Sequence, residues 1–221
     1  MRRNELRPNL SVSQTTLNLL RECPRCFWLH VSRGVHRPRE PWPSAVLRLN
    51  EIIKTYWDRY AHVGMLPPLH QGLLEGVPVV PRMEAWFDRV TGLTLVGRLD
   101  ACIRTEAFLH APVDRKCMGS PPVAVNEAYV LQLDTYELLL EKNEYPPAGF
   151  GYLDYYIVRE GTSEASIQLD VEVRRVQTDS RRALDRLVQA RCVLDSDTPP
   201  PPSPDCDHCY RASRVAEFEC A

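Results

Sequence analysis

The stretch "VGRLDACIRTEAFLHAPVDRKCMGS", residues 96–120, carries acidic residues near the ends of two apolar, strand-like runs. In the first run Asp100 lies one step out of phase with its alternating apolar neighbours, so on a strand it faces away from them. Asp114 and Lys116 are two residues apart and therefore share one face of the second run. If the runs pair as a hairpin, both aspartates and the lysine converge on one patch.

Two carboxylates suit a hard cation such as Mg²⁺ or Mn²⁺. A cation of this kind acidifies an attacking water and neutralises charge that develops on a phosphate, and Lys116 could assist in the transition state. The alternative is a surface ion pair worth less than about 1 kcal/mol. Pro112 weakens the assignment of a central strand, because it has no N–H to donate to a neighbouring strand.

The segment "NEAYVLQLDTYELLLEK", residues 126–142, has the pattern of an amphipathic helix. Gln132 and Tyr136 are four residues apart and lie on one face of that helix. As polar members of a mostly apolar helix, they could reach toward the carboxylates or toward a phosphate. The alternative is that they belong only to the polar edge of the helix.

The chain has eight cysteines, four of which form two C-x-x-C pairs: Cys23 with Cys26, and Cys206 with Cys209. The proline-rich segment 199–204 spans on the order of 20 Å and could carry the second pair to the first. Four thiolates fit a tetrahedral Zn²⁺ ion or a 4Fe-4S cluster. Four reduced thiols without a metal are the alternative.

Composition sets the remaining limits. The 221 residues are 44% hydrophobic and 25% charged, which is typical of a globular protein. The net charge of −2 excludes a globally basic surface, so DNA binding would need a local basic patch. The start of the chain lacks the apolar core of a secretory signal, and no run reaches the roughly 18 apolar residues of a membrane span. We therefore expect a cytoplasmic protein.

The order of the predicted helices and strands indicates a mixed sheet flanked by helices, which is an α/β (α+β) architecture. We expect a main domain over 1–198, with a helical part at 11–62, and a proline spacer with a cysteine segment over 199–221. The remaining predictions concern single elements. Helices are predicted over 11–30, 44–61, around 83–90, 126–142 and 179–195, and strands over 93–103, 107–117, 149–160 and 165–177.

Taken in order, these motifs resemble the RecB-like branch of the PD-(D/E)XK nuclease superfamily. The pattern of that branch is glycine-x-x-aspartate, aspartate-x-lysine and glutamine-x-x-x-tyrosine, and it stands here as Gly97 to Asp100, Asp114 to Lys116, and Gln132 to Tyr136. The stretch "LLRECPRCFWLH" is also similar to the entrance of cluster-containing members, among them CRISPR-associated adaptation exonucleases. The resemblance covers about Ser13 to Tyr210.

The resemblance implies a restriction-endonuclease-like core and metal-dependent cleavage of DNA, with a 5′-phosphate product. It implies that Asp100 and Asp114 hold Mg²⁺ or Mn²⁺ and that Lys116 serves catalysis. Gln132 and Tyr136 would position the substrate backbone. A non-catalytic nucleic-acid-binding or adaptor protein that retains the fold is the alternative function.

The chain departs from the family pattern at one expected metal ligand. Related nucleases often carry a histidine in the helix before the sheet, and Asn50 stands at the matching position. An amide oxygen is a weaker ligand than an imidazole nitrogen. The two aspartates and the lysine remain, so the expected activity could be slow or lost.

For the cysteine site, the resemblance favours a 4Fe-4S cluster held by Cys23, Cys206, Cys209 and a later cysteine, for which Cys220 is available. Cys26 completes a four-cysteine set without using the end of the chain. We therefore expect Cys23, Cys26, Cys206 and Cys209 to be the ligands, of either Zn²⁺ or a 4Fe-4S cluster.

Overall fold

The computed structural model describes residues 10–38 and 43–219. They form two compact units: one contains the described parts of 1–40, 85–96 and 184–221, and the other contains those of 41–84 and 97–183. Each unit has its own β-sheet. The predicted division into 1–198 and 199–221 stays a prediction.

In chain order, the helices and strands are β1 (Leu10–Ser13), α1 (Gln14–Glu22), α2 (Pro24–Arg33), α3 (Ser44–Ala61), β2 (Val77–Val79), β3 (Trp86–Asp88), β4 (Leu93–Val96), β5 (Ala101–Arg104), β6 (His110–Met118), α4 (Glu127–Lys142), β7 (Phe150–Glu160), β8 (Ile167–Gln177), α5 (Ser180–Leu194) and α6 (Asp207–Glu219). None of these helices in the described ranges is long and apolar enough to cross a membrane.

The larger unit contains a five-stranded sheet in the order β2-β5-β6-β7-β8. Its pairs are antiparallel except for β6 and β7, which run parallel. Helices α3 and α4 pack against β6. The predicted mixed sheet flanked by helices is therefore confirmed, and β5 pairs with β6, and β7 with β8, as antiparallel hairpins.

Pro112 is accommodated within β6 although this strand lies between two others. On the β5 side it is opposite Cys102, and pairing with β7 begins only at the next residue, where Val113 is opposite Tyr152. The missing N–H of the proline therefore falls at the edge of the parallel ladder.

Alternation along β6 and β7 divides the side chains between the two faces of the sheet. The α3 face has a buried apolar cluster built around Trp57, Val113 and Tyr156. The α4 face has a second one, which includes Leu133 and Leu153. Successive residues of each strand therefore face opposite sides of the sheet, which puts Asp114 of β6 on the α4 face and Asp154 of β7 on the α3 face.

The other unit corrects two of the strand and helix predictions. The helix predicted around 83–90 is wrong: Trp86–Asp88 forms β3, antiparallel to β4. The Asp88 carboxylate accepts hydrogen bonds from the backbone N–H groups of Val90 and Thr91, which ends the strand in a tight turn. The predicted strand over 93–103 is divided at 97–100, so β4 and β5 belong to different sheets.

The helix predicted over 11–30 is also interrupted. Ser13 caps α1, and its side chain accepts a hydrogen bond from the backbone N–H of Thr16. Cys23 is extended, with φ −158° and ψ 108°, and Pro24 begins α2. Because a residue before proline is disfavoured in the helical conformation, the break falls at Cys23.

Gly97 has no room for a side chain, since a Cβ atom there would lie 2.6 Å from Cδ1 of the buried Leu139. We expect Gly97→Ala to lower the free energy of unfolding by about 1–3 kcal/mol through overpacking. Urea denaturation measures this difference. Gly119→Ala is the control because the corresponding space is open, and equal stability of the two variants would contradict the prediction.

Candidate active site and cysteine centre

Asp114 is the most buried polar member of the predicted site. Its side chain is 1% exposed on the α4 face of β6. The Gln132 amide donates to Oδ1 at 2.6 Å, and the Lys116 Nζ atom lies 2.7 Å from Oδ2. Burial raises the pKa of Asp114 to about 6, although the charge of Lys116 acts to lower it. Keeping this buried carboxylate charged therefore lowers the free energy of unfolding.

The Oδ2 atom of Asp114 is buried, and its described partner is the Lys116 ammonium, which forms an ion pair with it at 2.7 Å. Gln132 occupies the other carboxylate oxygen. A carboxylate in this place fits a divalent cation, because Mg²⁺ and Mn²⁺ prefer oxygen ligands.

Helix α4 supplies the residues that surround this carboxylate. The Gln132 side chain accepts a hydrogen bond from Lys116 Nζ at 3.2 Å and donates to the Tyr136 hydroxyl at 3.0 Å. The Lys116 ammonium lies 4.7 Å from the centre of the Tyr129 ring. Gln132 therefore joins Asp114, Lys116 and Tyr136 in one connected network.

Asp100 lies in the bend before β5 and is exposed. Its Oδ2 atom accepts a hydrogen bond from the Arg115 backbone N–H at 3.0 Å, and the Arg115 guanidinium donates to the Asp100 carbonyl at 3.0 Å. The negative charge of Asp100 contributes to the raised pKa of Asp114, which places the two carboxylates within electrostatic range. Of the five predicted residues, Asp100 is the one outside the hydrogen-bonded network.

A cleft of about 700 Å³ lies beside Asp100. Its lining includes Lys54 and Asp58 from α3, together with Arg98 and Arg115. Asp114 and Lys116 do not line this cleft. The cleft is thus adjacent to the candidate metal site through Asp100 and is not the site itself.

Asn50, which stands at the expected histidine position, is exposed on α3 and does not line the cleft. Lys54 and Asp58, one and two turns further along this helix, do line it and form an ion pair. The helix therefore presents its later turns to the cleft, and Asn50 lies one turn before them.

A second polar cluster, on the α3 face, was not predicted from the sequence. His70 and Asp154 are both fully buried, and His70 Nε2 lies 3.0 Å from each carboxylate oxygen. The Trp57 indole donates to the same carboxylate at 3.2 Å, and the Arg115 guanidinium lies 5.7 Å from the centre of the Trp57 ring. An aspartate inside the apolar run "GYLDYYIV" was the available signal.

Several arginines near the last strand and helix are engaged by acidic partners. Arg182 forms an ion pair with the buried Asp134 at 2.7 Å, and its guanidinium makes two hydrogen bonds to that carboxylate. Arg174 pairs with Glu172 at 2.7 Å. These arginines therefore do not form an uncompensated basic patch.

The four predicted cysteines converge in the smaller unit. Their sulfur atoms all lie within 4.8 Å of one another. The break between α1 and α2 places Cys23 and Cys26 together, while Cys206 and Cys209 lie at the start of α6. Cys220 lies outside the described residues.

The separations between individual sulfur atoms show how closely the four cysteines are gathered. Cys26 Sγ lies 3.4 Å from Cys209 Sγ and 3.7 Å from Cys206 Sγ, and Cys23 Sγ lies 3.9 Å from Cys209 Sγ. Four thiol sulfurs at such distances are close enough together to hold one metal centre, either a metal ion or an iron–sulfur cluster.

Hydrogen bonding favours the thiolate form of one of these cysteines. Burial acts to raise the pKa of the Cys23 thiol, but backbone N–H groups of Cys26 and Ser203 and neighbouring thiols lower it to about 6. The Ser203 N–H lies 3.5 Å from the sulfur. Since the thiolate is the metal-binding form, this donor set favours a metal ligand.

Most of the chain matches a known family in sequence. A sequence model of the PD-(D/E)XK nuclease superfamily matches residues 39–214. No curated protein matches the chain in sequence. The crystal structure of SSO0001 superimposes with a TM-score of 0.46 and 15% identity, over 88% of this chain and 80% of that chain.

In metal-free protein, we expect Asp114→Asn to raise the free energy of unfolding by about 2–3 kcal/mol at pH 8, because it removes a buried charge. The wild-type carboxyl binds a proton more readily when folded, so wild type gains stability as pH falls from above 6 toward 3.8. The difference between the two proteins should therefore vanish near pH 4. Chemical denaturation across this range measures it.

Asp170→Asn is the matched control, because that carboxylate is 49% exposed and pairs with Arg159 on the surface. Its stability should stay within about 0.5 kcal/mol of wild type at each pH. If Asp114→Asn instead lowered the stability at pH 8, the ion pair between Asp114 and Lys116 would be a net stabilising contact.

Proposed function

Because the chain belongs to the PD-(D/E)XK nuclease superfamily, we propose that it cleaves DNA as a nuclease dependent on Mg²⁺ or Mn²⁺. Members of this superfamily generally hydrolyse phosphodiester bonds. The observation that carries the proposal is the buried Asp114 carboxylate, which lies against Lys116 and Gln132 in one connected polar network. Asp100, within electrostatic range, is the second proposed metal ligand.

A divalent cation bound by Asp100 and Asp114 would supply positive charge that polarises a phosphodiester and acidifies an attacking water. Asp114 is available as a charged ligand above pH 6, where its carboxyl loses its proton. The Arg115 N–H donates to Oδ2 of Asp100, so in this proposal Oδ1 is the ligand atom. The chain would contribute two carboxylates to the ion, one from the bend before β5 and one from β6.

Lys116 and Gln132 prepare the site for a negatively charged substrate. The Lys116 side chain is 22% exposed, and in this proposal its ammonium faces a phosphate as well as Asp114. Gln132 holds it through a 3.2 Å hydrogen bond and so limits its rotamers. Tyr136 fixes the amide from the other side, which gives Lys116 a defined place for stabilising charge in the transition state.

The proposed substrate is DNA held through its phosphates beside the cleft at Asp100. Arg98 is exposed at this cleft, next to the proposed metal ligand. The net charge of −2 leaves little general attraction for nucleic acid, so affinity has to come from local contacts of this kind.

The test is cleavage of end-labelled single- and double-stranded DNA with Mn²⁺ or Mg²⁺. We expect Asp114→Asn and Lys116→Met to lower the cleavage rate by at least about 100-fold, because each removes a charge required in the transition state. Asp170→Asn is the control and should cleave like wild type. Salt-sensitive DNA binding without metal-dependent cleavage by wild type would instead support the adaptor function.

The second part of the proposal is a metal centre held by Cys23, Cys26, Cys206 and Cys209. It is supported by four sulfur atoms within 4.8 Å of one another, contributed by segments about 180 positions apart. When no preformed site exists in the unfolded chain, metal-binding energy becomes folding energy. The centre would therefore stabilise the smaller unit as a structural link between distant parts of the chain.

We expect Cys206→Ser to lose the metal and to lower the thermal midpoint of unfolding, because three thiolates bind more weakly than four. Cys192→Ser is the control, since Cys192 is a free, exposed cysteine. Metal analysis of protein purified without oxygen measures the stoichiometry, and absorption near roughly 400 nm distinguishes an iron–sulfur cluster from zinc. Full metal content in Cys206→Ser would reject this ligand set.

A further inference from the structure

Arg37 lies next to the four cysteines, donates to the Cys206 sulfur and also interacts with the Cys26 thiol. Its Nη2 atom donates to the Cys206 sulfur at 3.4 Å, and its Nη1 atom donates to the Glu22 carboxylate at 2.7 Å. The side chain is 29% exposed. A single guanidinium therefore connects an acidic residue at the end of α1 to a proposed metal ligand at the start of α6.

The contact with Glu22 restricts the orientation of the guanidinium. Because this group is planar, fixing one nitrogen on a carboxylate also directs the others. The Nε–H of Arg37 is buried and has no hydrogen-bonding partner within the described ranges. Glu22 thus holds the cation against the cysteines instead of leaving it free in solvent.

The charge of the proposed centre explains why a cation belongs there. A divalent ion bound by four thiolates carries two net negative charges, and a 4Fe-4S cluster in its oxidised resting form carries the same total. Cys23, Cys26 and Cys206 are buried, so solvent screens this charge poorly. An N–H donor to a ligating sulfur removes electron density from it and lowers the cost of the excess charge.

We propose that Arg37 is a positioning residue of the cysteine metal centre, which tightens metal binding and tunes the electronic properties of the Cys206 thiolate. This inference rests on the proposed binding of a metal by the four cysteines. It does not depend on which metal is bound, since the thiolate charge is the same in both cases. Glu22 has the supporting role of holding the guanidinium.

The experiment uses Co²⁺ as the probe, added without oxygen to full-length protein from which metal has been removed. We expect Arg37→Met to weaken Co²⁺ binding by about 10–100-fold, the usual effect of losing a partner of a metal ligand. The sulfur-to-cobalt charge-transfer band should move to longer wavelength, because a thiolate without an N–H donor gives up electrons more easily. Arg37→Lys keeps the charge and should restore part of the affinity.

Two controls separate this role from a structural one. Glu22→Gln removes the ion pair but retains the guanidinium, so it should weaken binding less than Arg37→Met. Arg33→Met removes a cation that lies over the Trp28 ring, and it should leave the affinity and the band unchanged. Circular dichroism and thermal unfolding of the metal-free proteins check that each variant folds.

The outcomes are distinct. Wild-type affinity and an unshifted band in Arg37→Met would overturn the role of Arg37 while leaving the four-cysteine centre intact. Equal losses in Arg37→Met and Glu22→Gln, with no band shift, would show that the ion pair is merely structural and would also overturn it. If wild type binds no Co²⁺, the proposed metal centre itself fails and this inference fails with it.

Discussion

The larger unit is organised around one buried carboxylate. Asp114 is fully enclosed on the α4 face of β6, where a charge is costly, yet its neighbours offer only partial compensation. Lys116 supplies a counter-charge and Gln132 a hydrogen bond, yet burial still raises the pKa of the carboxyl to about 6. In the proposed function, a bound cation would compensate the remaining cost of the buried charge.

Strand β6, which carries Asp114, also contributes a polar side chain to the opposite, α3 face of the sheet. Arg115 points away from Asp114 and reaches the Trp57 ring, while its backbone holds Asp100. The buried Asp154 and its partner His70 lie on this same α3 face. Since β6 lies between two strands, both sets of polar contacts oppose a shift in its register. A slip by one residue would exchange the two faces and lose both.

The smaller unit has a different problem of stability, on which its four cysteines bear. Its sheet is three short strands, and its sequence comes from widely separated parts of the chain. Closing such long loops is entropically costly, and a metal bound by both cysteine pairs would offset part of that cost. The proposed role of Arg37 follows from the same arrangement, because four thiolates brought together need compensation of their charge.

Much of the candidate site could be predicted because its spacing is local. Asp114 and Lys116 share a strand face by a period of two, and Gln132 and Tyr136 share a helix face by a separation of four. The order of these motifs predicted the mixed sheet as well. In contrast, the break at 97–100 and the strand at Trp86–Asp88 were not predicted, because short apolar segments fit more than one type of element.

Contacts between distant parts of the chain had to come from the folded structure. His70 meets Asp154 across 84 positions, and Arg37 meets Cys206 across 169. Periodicity carries no information at such separations, whereas packing of the sheet, its helices and the cysteine pairs specifies the partners. Residue spacing was therefore enough to identify which side chains share one face of a strand or helix. Tertiary folding determined which distant residues each of those faces contacts.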